Sequence, residues 1–572
     1  MNLYYNANTP EDKKDLHQRI DKHVLDHIHF TLEEHKSELT KDSKRYIKNI
    51  ATKVSDLKTA EQKIAYQNDS KDAKNLKTLK LRLDQVNQKE IELFRLSQSS
   101  DRPFFLWHLF FKEVFDCGGF DILIGNPPYI NANALKKMYG TDKYDELKSG
   151  YETAKGTIDI YILFYELGIN ILKDHGVLSY INPNRYLSAS YGEELRRFIH
   201  KRTQLVSLAD YSGIKVFKEA STYPVVTILQ KDANEQTTPI IIRHFNSLGK
   251  MSSEREVPST DLTYLPGYIW GYLLNEKINI TKFIIEQSEP ISNVGLINAT
   301  STAKEADEYH YLLNENNVGK KVINTGTIDR YTSTWGIRKM IDKGSEYLRP
   351  CIDINDSRIS RNRRELYSTP KIILAKIAIR TEAFFDKHGD YASVNTNCIH
   401  SFRPEYIPEY VLCWINSKLY QFLFESFFDG LRMSGGFLLY SAPNVLNTNI
   451  KKVPIPIQKI FVNLSEIISE LIKAQESDKK KDSLIEHVAL FFDDIIDGCI
   501  YELFFADHMV DRNLNILNLV QELVPQMQRI KAEDKISVIM NNYQELRKSE
   551  INTRMKLFVV KSPDILKPII QN

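Results

Sequence analysis

Strand-like runs alternate with helical stretches between residues 103 and 232, and this alternation restricts the fold more than any other feature of the sequence. Residues 120–125 form a short apolar run, which is typical of a strand covered on both faces of a parallel sheet. A helical stretch at 160–171 and a second strand-like run at 176–181 follow it. This alternation predicts an α/β fold with a doubly wound sheet.

The segments on either side of this sheet have a different character. The first 100 residues contain no glycine and a single proline, so we predict a helical arm or insertion over residues 1–102. The sheet region, 103–235, is followed by short strand-like runs and turns that predict an α+β domain over 236–456. Residues 457–572 return to helical spacing, which predicts a helical C-terminal region.

The composition restricts the class of protein. The chain has 76 basic and 74 acidic residues, a net charge of +2, so any basic surface that binds nucleic acid has to be local. There is no run of 18 apolar residues and no apolar segment near the N-terminus, so we predict neither a membrane span nor a secretory signal. The five cysteines are widely spaced and form no Cys-x-x-Cys pair, which favours a reducing, cytoplasmic location.

The sequence Asn126-Pro127-Pro128-Tyr129, called here the Asn-Pro-Pro-Tyr motif, directly follows the first predicted strand. In open α/β sheets, ligands bind beyond the carboxyl ends of the strands. Two successive prolines have no N–H, so the local backbone offers carbonyl acceptors and few donors. The side-chain oxygen of Asn126 adds another acceptor. Acceptors that converge in this way predict a site for an amino group.

The chemistry that such a site supports follows from the amino group itself. When both of its hydrogens are held, the nitrogen lone pair is less delocalised into the ring and attacks an electrophilic methyl group more readily. Tyr129 presents a flat face on which a base lifted out of a duplex stacks. The alternative interpretation is a proline-rich turn with Tyr129 in the core, but the full motif after an apolar strand is rare by chance.

With its preceding strand, the motif resembles the catalytic motif of amino-group methyltransferases. The surrounding chain resembles γ-class adenine-N6 DNA methyltransferases, in particular the methyltransferase and specificity portion of type IIG restriction–modification enzymes. The further similarities are Phe105-Leu106-Trp107-His108, Asp159-Ile160-Tyr161, Asn182-Pro183-Asn184, and Val216-Phe217 with Thr222-Tyr223-Pro224.

This resemblance implies a methyl transfer from S-adenosylmethionine to adenine N6 in double-stranded DNA, by an in-line displacement that needs no metal. It implies that Asn126 and the Pro127 carbonyl hold the amino group while Tyr129 stacks on the base. Phe217 is a candidate for a second aromatic wall, with core packing before the last pair of strands as the alternative.

The chain departs from the family pattern on the cofactor side. The family binds S-adenosylmethionine with a Phe-x-Gly-x-Gly turn, but here no glycine precedes Gly118 and no such turn follows a later strand. A nuclease signature of the Pro-Asp…Glu-x-Lys kind is also absent from the sequence. We therefore leave the cofactor-binding residues unassigned and expect a partner chain or an upstream segment to supply them. The sheet then has an open, apolar edge.

Residues 358–380 contain seven cations and one acid, Glu365, which makes them the strongest local basic segment. Such a segment binds DNA phosphates with release of counterions. We expect alternate cations on a predicted strand over 371–380 to share one face. The seven predicted DNA-binding residues are Arg358, Arg361, Arg363, Arg364, Lys371, Lys376 and Arg380.

The alternative for these cations is a solvated surface, but this part of the chain resembles the target-recognition domain of the same enzymes. The resemblance includes a helix through residues 415–419 and a loop at 432–436.

Three hypotheses follow. The first is a site-specific adenine-N6 DNA methyltransferase of a restriction–modification or related defence system. The second is a catalytically incomplete DNA-recognition subunit or remnant of such an enzyme. The third is a glutamine-directed protein methyltransferase, because the NH2 of an amide also has to be held and activated before it can attack a methyl group. The basic domain after the sheet argues against this third hypothesis.

Overall fold

The computed structural model describes residues 9–97, 107, 111–217, 223–232, 238–433, 435–477 and 483–571. They form two compact units, Met1–Gly119 and Phe120–Asn572. Within these residues, no helix is both long enough and apolar enough to cross a membrane. Phe105, Leu106, His108 and Thr222, which contribute to the family resemblance, lie outside the described residues.

The described part of the first unit is mainly helical, as the lack of glycine predicted. Its two long helices pack against each other and are joined by an ion pair between Lys36 Nζ and Glu90 Oε2 at 2.5 Å. The helices of this unit are α1 (Pro10–Ser55), α2 (Ala60–Asp69), α3 (Lys71–Ser97) and α4 (Lys112–Asp116).

The second unit begins with a six-stranded sheet. Its strands are β1 (Phe120–Gly125), β2 (Leu172–Pro183), β3 (Thr203–Asp210), β4 (Pro224–Lys231), β5 (Ile240–Ser247) and β6 (Lys250–Val257). The helices between them are α5 (Ala132–Tyr139), α6 (Thr141–Ser149), α7 (Tyr161–Ile171) and α8 (Glu193–Arg202).

The strand order is β1-β2-β4-β3-β5-β6, and only the pairs β1–β2 and β3–β5 are parallel. The prediction of an α/β sheet is confirmed, but the sheet is mixed. The reason is that β4 follows β3 without a crossover helix and reverses direction to lie between β2 and β3. Because β5 pairs with β3, the sheet also continues past the predicted boundary at residue 235.

Strand β1 is not covered on both faces, so that prediction is wrong. Ile122 is 63% exposed and Ile124 is 82% exposed, and both lie on the same face of the strand. On the other face, Gly125 packs against the ring of Tyr180. The strand pairs only with β2 among the described residues, so it forms the open, apolar edge that the missing cofactor turn led us to expect.

The rest of the second unit consists of small sheets and helices. Its strands are β7 (Glu289–Pro290), β8 (Leu296–Ala299), β9 (Lys320–Asn324), β10 (Ile328–Asp329), β11 (Thr332–Ser333), β12 (Met340–Asp342), β13 (Ser345–Tyr347), β14 (Cys351–Ile352), β15 (Lys371–Ala375), β16 (Ile377–Ala378), β17 (Ala383–Asp386), β18 (Tyr391–Val394), β19 (Thr396–His400), β20 (Leu438–Leu439) and β21 (Asn449–Ile450).

The helices that follow α8 are α9 (Ile278–Glu286), α10 (Ala303–Tyr309), α11 (Arg361–Ser368), α12 (Pro408–Asn416), α13 (Lys418–Phe428), α14 (Ala442–Leu446), α15 (Ile455–Ser477), α16 (Ser483–Phe504), α17 (Ala506–Asp511), α18 (Leu517–Leu523), α19 (Lys535–Leu546), α20 (Glu550–Lys561) and α21 (Leu566–Ile570). Helix α15 begins at the predicted proline boundary, and the segment after it is helical as expected.

The C-terminal helices share their core with the region before them. The ring of Tyr410 contacts that of Phe461 at 5.2 Å, and the ring of Trp414 stacks on Phe504 at 5.1 Å between centroids. All four residues are almost completely buried. The boundary near residue 456 therefore separates two sequence patterns but not two packed cores.

The predicted helix through residues 415–419 is two helices. Helix α12 ends at Asn416, and α13 starts at Lys418. Ser417 has an extended ψ of 154°, and its hydroxyl accepts a hydrogen bond from the Tyr420 N–H at 3.1 Å. A serine in this position caps a new helix, which explains the break.

Candidate active site and nucleic-acid interface

The Asn-Pro-Pro-Tyr motif lies in the loop after β1, at the carboxyl end of the sheet. Gly125 pairs with Tyr180, so the motif lies beside the end of the parallel strand β2. Asn126 and Pro128 are exposed, whereas Pro127 is buried. The motif therefore reaches the surface at the position where α/β sheets bind their ligands.

The acceptors of the motif are not used by hydrogen bonds within the described protein. Neither the side chain of Asn126 nor the carbonyl of Pro127 forms a hydrogen bond with another described residue. The exposed Asn126 side chain can turn its oxygen towards a donor without losing an internal bond. This arrangement fits the predicted binding of an amino group.

Tyr129 is fixed in place behind these acceptors. Its hydroxyl donates a hydrogen bond to the Ile181 carbonyl at 3.0 Å, and burial raises the pKa of the phenol to about 12. The phenol therefore stays protonated at neutral pH and remains a donor. The sequence did not indicate this anchor, because the Ile181 carbonyl belongs to a different strand.

Phe217 lies next to Tyr129, which agrees both with a second aromatic wall and with core packing. The ring centroids are 6.0 Å apart, and the ring planes meet at 76°. This edge-to-face contact leaves no parallel slot between the rings, so a base that stacks on both requires one ring to turn.

Tyr129 packs against Tyr161, whose hydroxyl belongs to a series of hydrogen-bonded side chains. The ring of Tyr161 meets it edge-on at 6.4 Å, and the Tyr161 hydroxyl lies 2.8 Å from that of Tyr191. Tyr191 in turn donates to Asp159 Oδ2 at 3.0 Å, and burial raises the pKa of Asp159. Asp159 and Tyr161 belong to the family resemblance, but their link to Tyr191 was not predicted because Tyr191 lies in a later segment.

A cleft of about 480 Å³ joins the carboxyl end of this sheet to the region after it. Asn184 and Ser212 line it from the sheet side, and the Asn184 amide donates to the Ser212 hydroxyl at 3.1 Å. Ile379, Asp429 and Arg432 line it from the other side. The cleft connects the end of β2 with the segment that holds the predicted DNA-binding cations.

The prediction that Lys371 contacts DNA is wrong. Its ammonium is completely buried and forms an ion pair with Asp386 at 2.6 Å. Burial lowers the pKa of Lys371, while the Asp386 carboxylate opposes this effect. The predicted one-sided face is wrong too, because β15 lies between β17 and β19 and all five of its residues are buried.

Four of the arginines are held by neighbours within the domain. Arg358 pairs with Asp356 at 2.8 Å and Arg361 with Glu365 at 2.9 Å, and both pairs are at the surface. Arg363 pairs with Glu305 at 3.0 Å in a largely buried position. Arg364 donates to two backbone carbonyls.

Lys376 and Arg380 form no ion pair with another described residue. Arg338 is exposed as well, and its guanidinium has one long contact of 3.4 Å to the Gly326 carbonyl. Sequence reasoning missed Arg338 because it lies outside the dense basic segment. Among the described residues, no carboxylate forms an ion pair with Arg338, Lys376 or Arg380.

Two protein families match the chain, one over the sheet region and one over the region that follows it. Residues 27–217 match the Eco57I restriction-modification methylase, and residues 311–455 match the TaqI-like C-terminal specificity domain. The chain carries a restriction–modification methylase domain and a specificity domain. The methylase domain includes the Asn-Pro-Pro-Tyr motif and Phe217, and the specificity domain includes all seven predicted DNA-binding cations.

The relatives have corresponding names. The type II restriction enzyme and methyltransferase RM.Eco57I of Escherichia coli is 30% identical over 199 residues, which are 34% of this chain and 20% of that protein. The putative type II restriction enzyme and methyltransferase RM.MjaORFECS2P of Methanocaldococcus jannaschii is 22% identical over 421 residues, which are 72% of this chain and 33% of that protein. The chain thus spans a fifth to a third of the length of these relatives.

Among solved structures, the type IIL restriction-modification enzyme MmeI in complex with DNA matches 75% of this chain and 57% of its own. The identity is 11% and the TM-score is 0.38.

Proposed function

We propose that this chain provides the base-binding and DNA-recognition parts of a site-specific adenine-N6 DNA methyltransferase in a restriction–modification or related defence system. The observation that carries the proposal is the Asn-Pro-Pro-Tyr motif, in which Asn126 is exposed, the acceptors form no hydrogen bond with other described residues, and the tyrosine is anchored to β2. The specificity domain in the same chain supports DNA as the substrate.

In this proposal, the target adenine leaves the duplex and enters the site with its amino group first. The Asn126 side-chain oxygen and the Pro127 carbonyl accept the two hydrogens of N6. Tyr129 stacks on the base and keeps the amino nitrogen in position. S-adenosylmethionine supplies an electrophilic methyl group when bound.

The described residues do not form a complete pocket for that cofactor. Strand β1 is the edge of the described sheet, and Ile122 and Ile124 are exposed beside the motif. We propose that a further β-strand, with a glycine-rich turn at its end, pairs with β1 and supplies the cofactor side. A partner chain that carries this strand is the arrangement we favour.

The cofactor proposal is tested by isothermal titration of the purified full chain with S-adenosylmethionine. We expect no saturable heat, because the chain supplies only the base-binding side. Co-purification with a partner that carries the glycine-rich strand should restore binding, and Ile124→Lys should prevent it, because a charge on this face disfavours burial. Micromolar binding by the chain alone would contradict the proposal.

Substitutions at Tyr129 separate stacking from anchoring. Tyr129→Ala removes the stacking face and is expected to reduce methylation by roughly 10-fold or more, since base stacking contributes about 1–3 kcal/mol. Tyr129→Phe keeps the face and loses only the bond to Ile181, so activity should fall by no more than a few fold, with a loss of about 1 kcal/mol in the free energy of unfolding.

The measurement is the rate of methyl transfer in the complete enzyme, with urea unfolding as the stability control. Equal losses of activity in the two variants would show that Tyr129 acts through its hydroxyl and not through stacking.

The exposed β1 also favours the second candidate, a DNA-recognition subunit or remnant that takes no part in methyl transfer even when a partner is present. Sequencing that detects modified adenines in DNA from cells with and without this chain distinguishes the two. A methylated site that depends on the chain supports the methyltransferase, and identical patterns support the recognition subunit.

A further inference from the structure

The segment between β15 and β17 is held rigidly by hydrogen bonds. The Tyr440 N–H donates to the Lys376 carbonyl at 2.8 Å, and the short strand β16 within the segment pairs with β20. Gln421 on α13 accepts from the Thr381 N–H at 3.0 Å and donates to the Ile379 carbonyl at 3.4 Å. The backbone on both sides of Arg380 is therefore fixed.

This segment lies on the side of the molecule where a target base would enter. Ile379 is 57% exposed and lines the same cleft as Asn184, which directly follows β2. Strand β2 ends beside the Asn-Pro-Pro-Tyr motif. A duplex that crosses this cleft would pass Ile379, the residue next to Arg380.

Three charged side chains gather here without forming an ion pair. Arg338 and Arg380 are exposed, and both lie close enough to Glu382 to act on its charge. Glu382 is half-buried, and its carboxylate forms no hydrogen bond or ion pair with another described residue. Burial and the nearby Asp329 raise the pKa of Glu382 to about 7, while Arg380, Arg338 and Arg330 oppose the increase.

An unpaired carboxylate is unusual on a surface that meets DNA, because phosphates repel it. It becomes favourable when it accepts a hydrogen bond from the exocyclic amino group of a base, and cytosine N4 is the usual donor to glutamate in the major groove. Neighbouring arginines offset the repulsion from the phosphates. The group formed by Arg338, Arg380 and Glu382 has these properties.

We propose that Glu382 determines sequence specificity by accepting a hydrogen bond from a cytosine amino group in the DNA target, with Arg338 and Arg380 on the adjacent phosphates. This inference rests on the proposed function, because it requires that the chain binds DNA at a specific sequence.

The test is a selection of bound sequences from a pool of randomised duplexes, using the full chain. The wild type should enrich a site with a cytosine at one fixed position. Glu382→Ala should lose the preference at that position by roughly 10-fold or more while the other positions keep theirs. Arg380→Ala should weaken binding to all sequences and reduce the salt dependence by about one phosphate contact.

Glu405→Ala is the matched control, because Glu405 is exposed in the same domain and, like Glu382, forms no ion pair with another described residue. It should select the wild-type site. If Glu382→Ala does not fold, as judged by its thermal melting, Glu382→Gln retains the size of the side chain and should lose the cytosine preference or move it to adenine.

Two results would overturn the inference while leaving the proposed function intact. They are a wild-type site without a required cytosine, and a Glu382 variant that folds and selects the wild-type site unchanged. A wild-type chain that enriches no sequence would instead overturn specific DNA recognition, and the inference with it.

Discussion

Replacing Asn126 by alanine is expected to reduce adenine methylation by roughly 100-fold or more, because the proposed mechanism uses the Asn126 oxygen to hold the reacting amino group. DNA binding should stay within about twofold of the wild type. The Asn126 side chain is exposed and forms no internal hydrogen bond with the described residues, so its removal should leave the fold unchanged. The measurement is the fraction of modified adenines in cells that carry the gene in its native genomic context.

Asn133→Ala provides the matched control for this substitution. Asn133 is also an exposed asparagine, in helix α5, which follows the motif. Its replacement should leave both methylation and DNA binding unchanged. A joint loss of methylation and DNA retention in Asn126→Ala would instead assign a structural role to Asn126.

Replacing Lys371 by methionine is expected to lower the free energy of unfolding by about 3–5 kcal/mol, because it leaves the Asp386 carboxylate buried without its cation. Asp386 would still accept hydrogen bonds from the backbone N–H groups of Asp390 and Tyr391, which places the expected loss towards the lower end of this range. The measurement is equilibrium unfolding in urea.

Lys376→Met is the control, since Lys376 lies five residues further on and forms no ion pair with another described residue. It should change the stability by no more than about 0.5 kcal/mol. The two substitutions should affect DNA binding in the opposite order. Lys376→Met should weaken the affinity for DNA at low salt, whereas folded Lys371→Met should bind DNA as the wild type does. A Lys371 variant that is stable but defective in DNA binding would contradict the buried ion pair.

The sequence predicted the elements around the motif because their signals are local. The apolar runs at 120–125 and 176–181, which lie in β1 and β2, are short and bounded by turn residues, and the position of the motif after β1 followed from the first of them. The direction of a strand relative to its neighbour could not be predicted from local signals. An apolar strand reads the same whether its neighbour is parallel or antiparallel, so the reversal at β4 was visible only in the pairing.

The exposure of β1 is a second property that its local sequence did not predict. Its composition is that of a covered strand, but coverage depends on what lies beside it, and Ile122 and Ile124 face away from the described protein. A strand with this sequence at the edge of a sheet is best explained by a surface that is covered in the working enzyme, which is the basis of the partner proposal.

The sequence by itself predicted a site for an amino group, because two prolines and an asparagine next to a strand leave the local backbone with acceptors and few donors. It also located the basic segment, since charge is a property of composition. Only the tertiary structure decided which cations remain available. Arg363 and Lys371 are neutralised by Glu305 and Asp386, carboxylates that folding brings to them, whereas Arg338 joins Arg380 and Glu382 from a separate part of the chain. Ion pairing depends on distances in space, and those distances are set by packing.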